Sequence, residues 1–129
     1  MSKFIIQING MAYSSSASYN AYHFTKSALE SGHEIIRVFF YQDGVFNTSS
    51  FNSPASDEFD LTSSWIKLSE LYRLELVNCV SAALRRGIIS ETEAKENHLC
   101  HWNMQAPFSM AGLGELITGI EDADRLVSF

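Results

Sequence analysis

The feature that most constrains this chain is the alternation of short apolar runs with amphipathic helical stripes. Phe4-Ile5-Ile6-Gln7-Ile8 is an Ile-rich run of strand length that Asn9-Gly10 interrupts, which predicts a buried strand and a turn. Ala17, Ala21, Phe24 or Thr25, Ala28 and Leu29 then recur at three- and four-residue steps, the stripe of an amphipathic helix. Ser14 to Ser16 offer N-caps, and Gly32 suits the left-handed position after the last turn. His33 to Tyr41 is near-continuously apolar from Ile35 onward, with Arg37 inside the run, as expected of a strand buried on both faces of a parallel sheet.

The rest of the chain continues the alternation. Asp43-Gly44 opens a long connection rich in Asn, Ser and Pro, the chemistry of turns. A connection of that length in a compact fold is expected to be functional or mobile. Leu61, Trp65, Leu68 and Leu71 or Tyr72 mark a second helix, and Leu74 to Asn78 a third strand. Val80 to Arg86 reads as a short helix stopped by Gly87. Ser90 with Glu93 has the spacing of a capping box. Residues 98 to 107 give no clear pattern. Ser109 to Ile120 reads as a helix despite Gly112 and Gly114, and Arg125 to Phe129 as a last strand. Four strands are explicit, and a fifth is expected near residues 99 to 106. Strands alternating with helices imply a parallel sheet covered on both faces. The expected fold is therefore an α/β three-layer sandwich of flavodoxin-like type, with four to five strands.

Composition narrows the function. The 129 residues, 46% of them hydrophobic and 19% charged, suit one domain over 1–129 that needs no disulfide framework or metal to fold. Nine Lys and Arg against fifteen Asp and Glu leave a formal charge of −6. That balance argues against direct binding of nucleic acid or of an anionic membrane. No apolar run reaches the length of a membrane helix, and the apolar stretch near Met1 is too short for a signal-peptide core. The two cysteines make no disulfide framework, so the expectation is a cytoplasmic protein with reduced thiols.

In parallel sheets, reactive groups gather at the carboxyl ends of the strands. Residues 9–13, 43–47 and 78–79 are expected there. Cys79 is the sharpest feature, because it falls where a strand passes into a helix. The free N–H groups and the positive dipole end at that junction favour a thiolate, the nucleophilic form. The competing reading is a small buried apolar residue, a common fate of free cysteine. Arg86 shares the helix face of Cys79 but lies roughly 10 Å further along the axis, too far to touch the sulfur. Arg85 and Arg86 are expected to complement the helix C-terminus, or else to anchor a partner subunit.

Other constellations are weaker. His98, Cys100 and His101 crowd into four residues, unlike the separated pairs of a zinc site, and read as solvated loop. Asn9-Gly10 with Ser14 to Ser16 could cradle a phosphate at a helix start, as a flavin or nucleotide requires. The chain has neither G-x-G-x-x-G nor a P-loop. Asp57, Glu58 and Asp60 read as solvated charge or as a surface for a basic partner. Phe46, Phe51 and Phe59 in the long connection point to an interface.

Three segments then carry a family likeness. Val38 to Val45, Ser53 to Leu61 and Cys79 to Gly87 resemble the DsrE-like sulfur-carrier family, and Gly112 to Leu116 and Asp124 to Phe129 fit it as well. The resemblance runs end to end and implies a sulfurtransferase subunit of a relay for 2-thiolation of the tRNA wobble uridine. It maps the active cysteine onto Cys79 and assigns no role to Cys100. It implies TusB-like and TusC-like sister subunits in a heterohexamer, a dimer of heterotrimers, with a TusA-like donor and a TusE-like acceptor. Cys79 would hold sulfane sulfur as a persulfide by thiol exchange, which needs no cofactor or metal. A related branch serves sulfur oxidation instead. The remaining alternatives are a structural subunit with an inert Cys79 and a flavin- or nucleotide-binding module.

Overall fold

The computed structural model describes residues 1–129. Its centre is a five-stranded parallel sheet in the order β4-β3-β2-β1-β5, with β1 over Lys3–Ile8, β2 over Glu34–Phe40, β3 over Leu76–Cys79, β4 over Phe108–Ala111 and β5 over Arg125–Ser128. The helices are α1 (Ala17–Glu30), α2 (Leu61–Tyr72), α3 (Val80–Arg85), α4 (Glu91–Glu96) and α5 (Gly114–Asp122).

The three layers are those the sequence implies. The strand order, however, differs from the 2-1-3-4-5 winding of flavodoxin. The chain steps outward from β1 to β4, and only β5 returns to the other side of β1. The winding therefore reverses once, and the two faces are covered unequally. On one face Phe4 meets Phe24 of α1 at 5.6 Å between ring centroids, and Phe40 meets Trp65 of α2 at 5.5 Å. On the other, α5 lies so close that a methyl on Gly119 would overlap the Ile5 side chain.

Twenty-five buried residues form the core around Trp65, Phe39, Phe40 and the isoleucines of β1. Arg37, in the middle of β2, sits on the α5 face. Its guanidinium donates to the Glu115 carbonyl at 2.5 Å and pairs with the Glu75 and Glu115 carboxylates at 3.2 Å each. A charge placed in an apolar strand is thereby paired on two sides, as burial demands.

Two sequence expectations are corrected. The fifth strand is not in residues 99–106, and Ser109–Ile120 is not one helix. Phe108–Ala111 pairs with β3 as β4, and α5 begins only at Gly114. The backbone groups of residues 108–111 find their partners on β3, more than thirty positions away, and that pairing outweighs local helical preference. The connection after β2 starts with regular structure. Gln42–Thr48 forms a 3-10 helix in which Gly44, Val45, Asn47 and Thr48 are buried. A methyl on Gly44 would overlap the Ile8 carbonyl oxygen, so glycine is what lets this segment close over the end of β1.

Candidate active site

Cys79 is the last residue of β3 and the N-cap of α3, with φ −63° and ψ 116°. The strand–helix junction read from the sequence is thus where the structure puts it. Every residue of β3 is buried, because β2 and β4 flank it on both sides. Cys79 itself pairs with Ala111 of β4 and is only 3% exposed. Its side chain makes no capping hydrogen bond. The first amides of α3 have no acceptor within the helix by the geometry of any α-helix. The thiol is held at a chemically apt place but is shut off from solvent.

Arg86 does not reach the sulfur. Its Nε donates to the Asp43 carboxylate at 2.7 Å and its Nη1 to the Ala82 carbonyl at 3.1 Å. It thus does complement the end of α3, and it also ties that helix to the 3-10 helix. Arg85 is exposed in the last turn of α3.

Asn78, next to Cys79 in β3, belongs to a polar network that the sequence did not announce. Asn78, fully buried, donates to Thr48 Oγ1 at 2.7 Å and to Met104 Sδ at 3.3 Å, while its Oδ1 has no partner. Thr48 in turn donates to the Val45 carbonyl. Asn47, also fully buried, donates to Ser18 Oγ and to the Gly44 carbonyl at 2.9 Å each, and accepts from Trp65 Nε1 at 3.3 Å. Asn47 therefore joins the 3-10 helix to α1 and α2, and Thr48 joins it to β3. Asn47 and Thr48 look like turn residues in sequence because their types serve turns as well as buried networks.

The remaining candidates are dispersed. The amides of Asn9 and Gly10 both donate to the Phe129 carbonyl, at 2.8 and 3.3 Å. Two of the amides that a phosphate in the loop after β1 would meet are thus already bonded to the residue that follows β5. His98, Cys100 and His101 are exposed, and no group of three or more His, Cys, Asp or Glu side chains is placed to hold a metal ion. Asp60 caps α2, its carboxylate accepting from the Ser63 amide at 3.0 Å. Of the three phenylalanines read as interface, Phe46 packs against the core, whereas Phe51 and Phe59 are 64% and 39% exposed. Burial raises the pKa of Tyr13, an amide hydrogen bond from Leu61 opposes that rise, and the nearby Asp60 and Glu58 charges add to it. No helix is long and apolar enough to cross a membrane.

Comparison with known proteins adds what geometry alone does not. The model of the DsrE/DsrF-like family matches residues 2–129. The chain is 47% identical over 127 residues to a protein named DsrE in Allochromatium vinosum, covering 98% of each. It is 44% identical over 126 residues to a sulfurtransferase TusD homolog of Vibrio cholerae, covering 98% of this chain and 96% of that one. It is likewise 44% identical over 126 residues to the sulfurtransferase TusD of Proteus mirabilis, covering 98% and 97%. The YchN protein from E. coli superposes with a TM-score of 0.78 over the whole of both chains at 18% identity, a likeness of fold.

Proposed function

The chain belongs to the DsrE/DsrF-like family, and we propose that it is a sulfurtransferase subunit whose working group is Cys79. The observation that carries this reading is the near end-to-end likeness to proteins named sulfurtransferase TusD. The position of Cys79 at the N-cap of α3 supplies the chemistry. Its thiolate attacks the outer sulfur of a persulfide on a TusA-like donor. A new S–S bond forms at Cys79, the donor S–S bond breaks, and the donor leaves as a thiolate. A thiolate of a TusE-like acceptor then attacks the outer sulfur of Cys79-S-SH and releases Cys79 as a thiolate. No net oxidation occurs in either step, so no cofactor or metal is required.

The biological setting we propose is a cytoplasmic relay for 2-thiolation of the tRNA wobble uridine. The 1–129 domain works there with TusB-like and TusC-like subunits in a heterohexamer. The formal charge of −6 suits a protein that hands sulfur to other proteins and does not grip tRNA itself. Burial of Cys79 to 3% exposure adds a requirement: docking of donor or acceptor must open the junction of β3 and α3. The likeness to DsrE of Allochromatium vinosum favours a second setting, in which the same carrier step serves a sulfur-oxidation complex. The two settings differ in the acceptor.

The test is intact mass and peptide mapping after incubation with a persulfidated donor, with and without the sister subunits. A reducible gain of about 32 Da on the Cys79 peptide is the expected result of one added sulfur. Cys79→Ser should fold and take up nothing, and Cys100→Ser should load normally. Absence of any gain in the full assembly, with a donor shown to be loaded, makes Cys79 a packing residue and the chain a structural subunit.

A further inference from the structure

A hollow of about 250 Å³, lined by Tyr13, Ser15, Tyr19, Glu58, Phe59 and Leu61, opens at the carboxyl end of the sheet. Its three rings are unusually open for aromatic side chains. Tyr13 and Tyr19 are each 46% exposed and Phe59 is 39% exposed. Tyr19 meets Phe59 edge-on, with centroids 5.2 Å apart at 77°. His23 backs both, 4.3 Å from Tyr19 and 5.5 Å from Phe59, so the walls are firmly set. The Tyr13 hydroxyl accepts the Leu61 amide at 3.0 Å and pins the loop after β1 to the start of α2. That loop holds Tyr13 at φ 68°, a conformation non-glycine residues seldom adopt.

The charge around the hollow has one sign. Glu58 is part of its lining, and Asp60 lies near enough to act on Tyr13 along with it. Neither Glu58 nor Asp57 belongs to any ion pair. Aromatic faces with a carboxylate beside them attract a cation through ring quadrupole and charge together. A flat guanidinium stacks on rings and matches a carboxylate with its fork, which an ammonium cannot do. A second copy of this acidic chain would bring like charge to the site.

We propose that this hollow is a docking site for an arginine side chain of a partner protein. The hollow and Cys79 lie at the same end of the sheet, and β1 and β3 are two strand spacings apart, roughly 10 Å. The inference does not rest on the sulfur-carrier reading, because its test involves no sulfur chemistry.

The test is an amide NMR titration of the full chain with the peptide acetyl-Gly-Arg-Gly-amide, and with its Lys and Gln counterparts. The arginine peptide should give saturable shifts at Tyr13, Tyr19, Phe59 and Leu61, with a dissociation constant in the millimolar range. The lysine peptide should bind several-fold more weakly and the glutamine peptide not at all. Phe59→Ala should weaken arginine binding about tenfold, and Tyr19→Leu, which keeps apolar bulk, should weaken it similarly if Phe59→Ala disturbs the fold. Glu58→Gln should weaken it at least about threefold and remove most of its salt dependence. No response to the arginine peptide, shifts centred on another surface, or an equal response to glutamine overturns the proposal. A lysine peptide that matches arginine overturns the choice of arginine.

Discussion

Asn47→Ala should be among the most destabilising single changes in the chain that leave the apolar core itself untouched. Asn47 is fully buried and makes three side-chain hydrogen bonds, to Ser18, to the Gly44 carbonyl and from Trp65. At about 1 kcal/mol net for each neutral bond, the loss starts near 3 kcal/mol. Ser18 keeps the Gly10 carbonyl as a partner, so it is not stranded. The buried Trp65 indole N–H loses the bond that Asn47 gave it, and that stranded donor adds about 1 kcal/mol or more. The expected total is about 4 kcal/mol, against a typical stability of 5–15 kcal/mol. With a urea m-value of about 2 kcal/mol/M for a chain of this size, the unfolding midpoint falls by about 2 M. The assay is urea denaturation followed by tryptophan fluorescence and by far-UV circular dichroism. A midpoint shift below about 0.5 M at unchanged m would refute the reasoning, since it would mean that the network contributes little. A double-mutant cycle with Trp65→Phe adds an independent check. The phenylalanine has no N–H to strand, so the two losses should sum to more than the double mutant loses, by about 1 kcal/mol.

Other outcomes follow from the same structure. Gly44→Ala should destabilise by about 2 kcal/mol or more, because the new methyl meets the Ile8 backbone and no flexible side-chain tip can give way; thermal melting reads it, and a variant as stable as the parent would show that the 3-10 helix does not close over β1. The Asp43–Arg86 pair has side chains 54% and 27% exposed, so a cycle of Asp43→Ala and Arg86→Ala should give a coupling of only about 0.2–1 kcal/mol, shrinking in salt; a coupling several times larger would mean that the pair is desolvated. Tyr13 has its pKa raised above the ordinary value of 10.0, so the folded state keeps a proton that the unfolded chain gives up. Its contribution is complete below the unfolded pKa and is lost as pH rises through the folded one. Stability against urea should therefore fall more steeply above pH 10.0 in the parent than in Tyr13→Phe, and equal slopes would contradict the assignment.

Much of the site's position was readable in the sequence. Cys79 lies between Leu76-Val77-Asn78, a run of strand type, and Val80 to Arg85, a run of helix type. Local pattern suffices for such a junction, because strand and helix periods are set by neighbouring residues. The capping box of Ser90 and Glu93 and the turn at Gly32, with φ 86°, are local in the same sense, and both were visible. The accessibility of Cys79 was not. It depends on β4, whose four residues include Ser109 and Met110 and read as the start of a helix.

What the sequence determined by itself is the order of strands and helices, the parallel character of the sheet and the placing of one cysteine at a strand end. These follow from periodicities that act over a few residues. The tertiary structure alone decided that β4 lies beside β3 and buries Cys79, that Asn47 and Thr48 turn inward, and that Tyr13, Tyr19 and Phe59 converge on one hollow. Each of these joins residues far apart in the chain. Asn47 finds Ser18 twenty-nine positions away, and Tyr13 finds Leu61 forty-eight away. A buried amide or an exposed ring has the same local signature as a turn residue or a core residue. Only the partner that folding brings to it fixes which of these it is.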